Sequence, residues 1–436
     1  VRGLSPAMFY TAYNILSLVL LVPALLYHLY RSISRGRPAA LGERFGHISP
    51  QELALIADRP VIWLHAVSVG ESVAARPLLK ALRRQYPGHA IVVSNTTETG
   101  RGVTSGFPEK DLCIYFPFDF LPAVRRTLDA IKPALVVIME TEIWPNFNRE
   151  AARRGIPVIL ANGRISDRSY GRYLKFAWFF RHALEFCSAL CMQTATDRER
   201  IVAIGAPAER VLTTGNLKYD IPCRQVSPDE RATLRARYAI PEGMTVVTAA
   251  STHPGEEEPV LNAFRELLAT HDPLMLVLVP RHPERTVQVA GLLDKAGLPF
   301  LRRTALAADG LPLFSGGSVL LVDTVGELMD IYALSDLAFV GGSLVATGGH
   351  NLLEPASLGI PFVFGPHMTN FREIAALVLK YRAGVQVDDA AGLATACRTL
   401  LEDTRRRREI GANGLAMVRD NGGATERHMA VIAGYA

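Results

Sequence analysis

Residues 61–79 read VIWLHAVSVGESVAARPLL. Val61 to Val67 is an apolar run of the kind that forms a strand buried on both faces of a parallel sheet. After Ser68-Val69-Gly70 a helical pattern opens on Glu71. Gly70 allows a sharp strand-to-helix turn. In nucleotide-binding folds such a turn offers free amides and the positive end of a helix to a phosphate. Here the chain supplies its own carboxylate instead. The dipole and the nearby amides are expected to hold Glu71 ionised. It reads either as a helix-capping residue or as a base at a site. This strand–turn–helix unit sets the expectation for the fold.

The pattern repeats along the chain. Further strands are expected at 90–96, 112–117, 134–140, 157–162 and 189–194, with helical stretches between them. Residues 211–222, VLTTGNLKYDIP, are rich in turn formers and read as a link. A second series follows at 245–252, 274–280, 319–323, 337–342 and 361–365. This alternation is that of two doubly wound α/β domains of Rossmann type, which bind ligands at the carboxyl ends of their strands, here across a facing cleft. The 436 residues suit two domains. The divisions expected are an anchor and basic flank at 1–37, a first domain at 38–222, a second at 223–415, and a C-terminal helix at 416–436 packing back across the pair.

Met8–Tyr30 holds no Lys, Arg, Asp or Glu and is followed by RSISRGR. That length can cross a hydrocarbon core of roughly 30 Å. Tyr10, Tyr13, Tyr27 and Tyr30 near its ends read as interfacial aromatics, and Arg31, Arg35 and Arg37 put the downstream side in the cytoplasm. An uncleaved single-pass anchor is expected, because the apolar region is long, contains a proline and lacks a small-residue cleavage site. Five scattered cysteines fit a reducing compartment. Cys187 and Cys191, four apart and so one helical turn, read as core packing and not as a metal site. The net charge of +5 is too dilute to point to nucleic acid, and suits an anionic substrate or a membrane surface.

Charged residues gather at the expected strand ends. METEIWPN (139–146) puts Glu140 and Glu142 just past a buried strand, where carboxylates are costly without partners or a substrate. Lys218 lies at the link. Arg281, His282 and Arg285 follow the 274–280 strand, and guanidinium groups suit phosphate oxygens. Gly326 and Glu327 stand at another strand-to-helix turn. In FVGGSLVATGGHNLLEPASLG (339–359), a turn at Gly341, Gly342 and Ser343 is a candidate contact for a donor phosphate, and Asn351 and Glu354 open a helix. No GxGxxG or GxxxxGK[ST] fingerprint is present. Residues 163–186 mix Arg164, Arg168, Arg172, Lys175 and Arg181 with Tyr173, Phe176, Trp178, Phe179 and Phe180, a composition that suits a membrane interface.

Taken together, HAVSVGE, VIMETEIWPN, ANGRISDRS, TGNLKYD, STHPGEE, LVPRHPER, DTVGELM and FVGGSLVATGGHNLLEPA resemble, in order, the bacterial 3-deoxy-D-manno-octulosonic acid (Kdo) transferases of lipopolysaccharide synthesis. The resemblance implies the B-type glycosyltransferase fold and an inverting, metal-independent transfer of Kdo, without a cofactor. Its donor would be CMP-Kdo and its acceptor the lipid A precursor, lipid IV-A, at the cytoplasmic face of the inner membrane. It implies Glu71 as general base, and Glu140 and Lys218 as stabilisers of the transition state. CMP would lie against Pro280 and Arg281, against Val325, Gly326 and Glu327, and against Asn351, Leu352, Leu353 and Glu354. The alternatives are another membrane-associated transferase of the same fold, taking a UDP-sugar and a lipid-linked acceptor, and a non-catalytic sugar-nucleotide binder. The latter would be expected to have lost Glu71, Glu140 or Lys218, and all three are present.

Overall fold

Among the described residues, two seven-stranded sheets, parallel throughout, organise the chain. The structure is a computed structural model, describing residues 5–35, 40–306 and 314–436. It divides into one compact unit of Val1–Asp220 with Gly422–Ala436 and a second of Ile221–Asn421.

The first unit holds β1 (Val61–His65), β2 (Ala90–Asn95), β3 (Leu112–Tyr115), β4 (Pro133–Met139), β5 (Val158–Gly163), β6 (Ala189–Met192) and β7 (Val211–Thr213), in the order β3-β2-β1-β4-β5-β6-β7. The order reverses beside β1, between β1 and β4, which is where ligands of such sheets bind. Alternate residues of β1 enter different cores. Ile62 and Leu64 pack with Leu78 and Leu82 on one face, while Val61 and Trp63 pack with Phe147 and Val136 on the other. Each such side chain contributes about 1.5–3 kcal/mol by burial. The helices used below are α1 (Pro6–Arg35), α2 (Val69–Gln85), α3 (Pro145–Arg153), α4 (Asp167–Lys175) and α5 (Ala177–Leu184).

The second unit holds β8 (Thr245–Thr252), β9 (Leu274–Pro280), β10 (Phe300–Arg302), β11 (Val319–Leu321), β12 (Leu337–Val340), β13 (Phe362–Phe364) and β14 (Val385–Gln386), in the order β10-β11-β9-β8-β12-β13-β14. Its switch point falls between β8 and β12, so the ends of those two strands carry its ligand-facing turns.

Three short edge strands escape the sequence pattern. β10 and β14 have three and two residues, all only half-buried, so neither makes an apolar run. β7 occupies the start of what reads as the link. An edge strand needs no burial on both faces, and here Leu212 and Thr213 are exposed while only Val211 is buried. Cys191 sits in β6 and Cys187 in the connection before it, so the two are not on one helical turn, although both are buried in apolar cores.

The chain returns to the first unit at Gly422 and not at 416. The helix Thr404–Asn421 belongs wholly to the second unit. Helix Ala424–Ile432 then begins in the first, where the Asp220 carboxylate accepts the N–H groups of Ala424 and Thr425. An aspartate at a helix start satisfies otherwise orphaned amides.

Candidate active site

Glu71 is the third residue of α2, and its geometry starts with the turn before it. Asn95, fully buried at the end of β2, donates from Nδ2 to the Ala66 carbonyl at 2.7 Å and to Ser72 Oγ at 2.9 Å. Ser68 caps α2 by accepting the Glu71 N–H. The Glu71 carboxylate reaches back, accepting the Val67 N–H at 2.7 Å and the Ser68 hydroxyl at 3.2 Å. This is a close relative of the capping box. Gly70 does not make the turn. It lies inside the first turn of α2 at an ordinary φ, and a Cβ there would meet only Ser68 Oγ, at an ordinary contact distance of 4.0 Å.

The charge state expected from the helix end is corrected. Burial, as the largest cause, pushes the Glu71 pKa up to about 7; the Val67 N–H opposes it, and Glu140 and Glu142 add to it. The helix terminus and two hydrogen bonds do not outweigh desolvation beside two like charges. Glu142 is raised too, by burial and then by Glu140. The three carboxylates are therefore electrostatic neighbours at the ends of β1 and β4, in the first unit's own switch point.

Glu140 stands at φ 55, in the left-handed region. Such a conformation is uncommon for a residue with a side chain and collects at functional positions. Its N–H donates to the Ala161 carbonyl at 2.8 Å, which pins it to β5. Arg164 N–H donates to Thr141 Oγ1 at 2.9 Å, fastening the stretch between Glu140 and Glu142 just past the same strand.

Lys218 lies on a 3₁₀ turn, Leu217–Tyr219, that packs on α2. Asn162, also left-handed at φ 58, holds that turn: its Oδ1 accepts the Leu217 N–H at 3.0 Å. Asn216 Oδ1 accepts the Lys218 N–H at 3.0 Å. Asn162 itself is fixed by His428, whose Nε2 accepts its N–H at 3.0 Å. Asn162 was not singled out from the sequence; its signal is the residue pair Asn-Gly ending a strand. The neighbouring strand-end histidine, His65, is structural. It is fully buried, stacks on Phe116, and burial lowers its pKa to about 3, so it stays neutral.

In the second unit the ends of β8, β9 and β12 converge. Ser251 is left-handed at φ 57, and Arg281 N–H donates to the Thr252 carbonyl at 3.0 Å. The exposed Arg281 guanidinium is close enough to lower the pKa of Glu354, although burial, the larger effect, leaves that carboxyl raised. Asn351 joins the same group, donating to Glu354 Oε1 at 3.3 Å and accepting the Leu353 N–H at 3.2 Å. Leu352 and Leu353 point into the core, so only their backbone is available to a ligand. Glu327 is engaged by Arg303 at 2.9 Å and by the Tyr238 hydroxyl at 3.1 Å, which with Thr324 lower its pKa against the burial that raises it. Beside it Gly326 stands at φ 93, and Val325 is 84% exposed.

The Gly341-Gly342-Ser343 turn is corrected as a phosphate contact. Glu256, 0% exposed, already takes its amides: Oε2 accepts from Gly342 at 2.6 Å, and Oε1 from Ser343 and Leu344, both at 2.9 Å. Oε2 also accepts the His253 N–H at 2.9 Å. The Gly341 N–H goes to the Ala250 carbonyl. A Cβ on Gly341 would stand 2.7 Å from the Ser251 carbonyl, and Gly342 is at φ 66, so both positions require glycine. The carboxylate does for this turn what a phosphate does elsewhere. The turn in turn aims His350, whose Nε2 lies 2.9 Å from His253 Nε2. Burial and then His253 bring His350 to a pKa of about 4, so the pair is neutral at pH 7.

Residues 39–221 match the family model described as 3-deoxy-D-manno-octulosonic-acid transferase (kdotransferase). The chain is 37% identical to a 3-deoxy-D-manno-octulosonic acid transferase of Haemophilus influenzae, over 86% of this chain and 87% of the relative. With the corresponding transferase of Bordetella pertussis it shares 34% identity, over 89% of each. A glycosyltransferase of Rickettsia africae superposes with a TM-score of 0.52 at 13% identity, covering 87% of this chain and 98% of that one. This last likeness speaks for the fold alone, two Rossmann-like units of the B-type glycosyltransferase class.

Proposed function

We propose that this chain, which belongs to the 3-deoxy-D-manno-octulosonic acid transferase family and is a glycosyltransferase, moves Kdo from CMP-Kdo to a hydroxyl of the lipid A precursor, lipid IV-A. The first unit supplies the base and the second holds the donor. The single observation that carries this reading is the Glu71 carboxylate, half-buried, fixed by Val67 and Ser68, and brought to a pKa of about 7.

Transfer with inversion forms a bond from the acceptor hydroxyl oxygen to the anomeric carbon of Kdo as the bond to CMP breaks. The hydroxyl proton passes to Glu71, and the electron pair leaves on the CMP phosphate. A base works best when its pKa lies near the working pH, which is where burial and two neighbouring carboxylates put this one. The sugar gains positive character in the transition state and the phosphate gains negative charge. Glu140 answers the first and Lys218 and Arg281 the second. The CMP moiety is assigned to Pro280 and Arg281, to Val325, Gly326 and Glu327, and to Asn351, Glu354 and the backbone of Leu352 and Leu353.

Two measurements test it. Purified full-length chain, given CMP-Kdo and a bisphosphorylated tetraacyl diglucosamine lipid, is expected to yield the Kdo-bearing lipid by mass spectrometry. A product from UDP-sugars but not from CMP-Kdo would overturn the donor assignment. Second, kcat/KM is expected to climb about tenfold per pH unit below roughly 7 and to level off above it, because only the deprotonated carboxylate accepts the proton. Glu142→Gln removes a negative neighbour, lowers the Glu71 pKa and so shifts that acid limb to lower pH. A limb at the ordinary carboxylate range in the unaltered chain would exclude Glu71 as the titrating base.

A further inference from the structure

The apolar helix α1 is tied to the first unit near its start, and the chain is tied to the same unit again just beyond its end. Near its start, Phe9 and Tyr10 are each only 2% exposed. The Tyr10 hydroxyl donates to the His182 carbonyl at 2.8 Å, at the end of α5. Tyr13 donates to Asp119 at 2.7 Å, and Asn146 at the start of α3 donates to Asn14 at 2.8 Å. Phe9 packs edge-on against Phe179, with ring centres 5.3 Å apart. Tyr10 and Tyr13 are thus docking residues, not interfacial aromatics as the sequence suggests. Asp119 is itself rigidly held, accepting the N–H groups of Asn146 at 3.0 Å and Phe147 at 2.8 Å.

Beyond its end, the short helix Leu41–Arg44 is fixed to the same unit. Arg44 is 2% exposed and donates to the Thr96 carbonyl at 2.8 Å, and its own carbonyl accepts the Phe118 N–H at 2.9 Å. Arg37, expected to mark the cytoplasmic side, lies outside the described residues.

Chain geometry then decides between spanning and not spanning. From Asn14 to Arg35 the helix rises about 32 Å at 1.5 Å per residue. From Arg35 back to Leu41 there are six Cα steps, a reach of at most about 22 Å whatever path they take. A hydrocarbon core is about 30 Å thick. A helix that leaves the unit at Asn14 and crosses the core therefore cannot be joined to Leu41 on the side it left.

We infer that α1 lies in one leaflet of a bilayer, with both ends on the side of the first unit. The occupant of its free face is lipid. Ile15, Leu16, Leu18, Val19, Val22 and Leu26 are each more than half exposed and cover one broad arc, opposite the arc of Tyr10, Tyr13 and Asn14. No charged side chain interrupts Met8–Tyr30. α5 packs at its base through Trp178 and Phe179 against Phe9; Phe176 and Trp178 are half-exposed, and Arg168, Arg172 and Lys175 precede them in the chain, a composition that an anionic headgroup layer favours. The inference does not depend on the donor or acceptor proposed above.

Single cysteines at Ala7 and Ile33, both exposed, test it in the full chain expressed in a bacterial host. A membrane-impermeant maleimide is applied to intact spheroplasts and after lysis, with the unaltered chain as the baseline for its own thiols. Both Ala7→Cys and Ile33→Cys are expected to sediment with membranes and to label at least tenfold more after lysis. Equal labelling of either in intact spheroplasts would establish a span and overturn the inference. So would an Ile33→Cys that labels in neither condition, since that end would then lie inside the core. A chain found in the soluble fraction, as when a second copy covers the apolar arc, would overturn it as well.

Discussion

Glu71→Gln is expected to cut transfer by about 10²–10⁴-fold, the usual contribution of a positioned general base, while CMP affinity measured by titration calorimetry stays within about twofold. The amide keeps the shape of the side chain and one oxygen to accept the Val67 N–H, now at 2.7 Å. It removes only the capacity to take a proton. The residue has a structural duty as well, so Glu71→Ala is expected to lose a further ~1 kcal/mol of stability through the weakened start of α2. Comparing the two separates the roles. If the Gln variant turned over near the unaltered rate, the carboxylate would be a cap and nothing more, although the family membership would stand. The result also fixes the division of labour, because CMP is assigned to the second unit and Glu71 belongs to the first.

The second large effect is on stability. Glu256→Ala is expected to lower the thermal midpoint by roughly 10 °C, from a loss of about 4 kcal/mol or more. Four backbone amides, of His253, Gly342, Ser343 and Leu344, end on this one fully buried carboxylate. Each amide left buried without a partner costs about 1–3 kcal/mol. Glu256→Gln keeps one accepting oxygen and is expected to recover part of the loss. CMP binding should fall in the Ala variant even below its unfolding temperature, since the turn that presents His350 and Asn351 is no longer held. A midpoint within about 2 °C of the unaltered chain would show that the turn finds other partners, and the account of Gly341–Ser343 would fail.

The two predictions come from opposite outcomes of one expectation. The sequence places glycine-rich or small-residue turns after strands and asks what anion meets them. At Val67–Glu71 the anion is local, at the start of the very next helix, and the reading finds it. At Gly341–Ser343 the anion comes from Glu256, 86 positions before Gly342 in the chain, on the turn after β8. Periodicity carries no information about a partner at that separation. STHPGEE was legible as a motif, but nothing in it says what each of its two glutamates meets; both are buried, Glu256 on backbone amides and Glu257 paired with Arg285 at 2.7 Å.

The long central strands were legible for a simple reason. A strand buried on both faces is apolar along most of its length, so β1, β4, β8 and β9 announce themselves. The edge strands β7, β10 and β14 need only a few backbone pairings and leave no apolar mark. Of the two left-handed residues at the first unit's site, Glu140 was visible as a residue type and Asn162 was not singled out, and neither conformation is legible in the local pattern.

The sequence by itself determined the two-sheet α/β architecture, the family and the set of charged residues at the strand ends. These follow from local hydrophobic pattern and from short motifs, which neighbouring residues specify. Only the tertiary structure decided the protonation of Glu71, the owner of the Gly341–Ser343 amides and the docking of α1. Each of those depends on what distant segments bring close: the water they exclude from a carboxylate, the hydrogen bonds they use up, and the second point at which they fasten a helix.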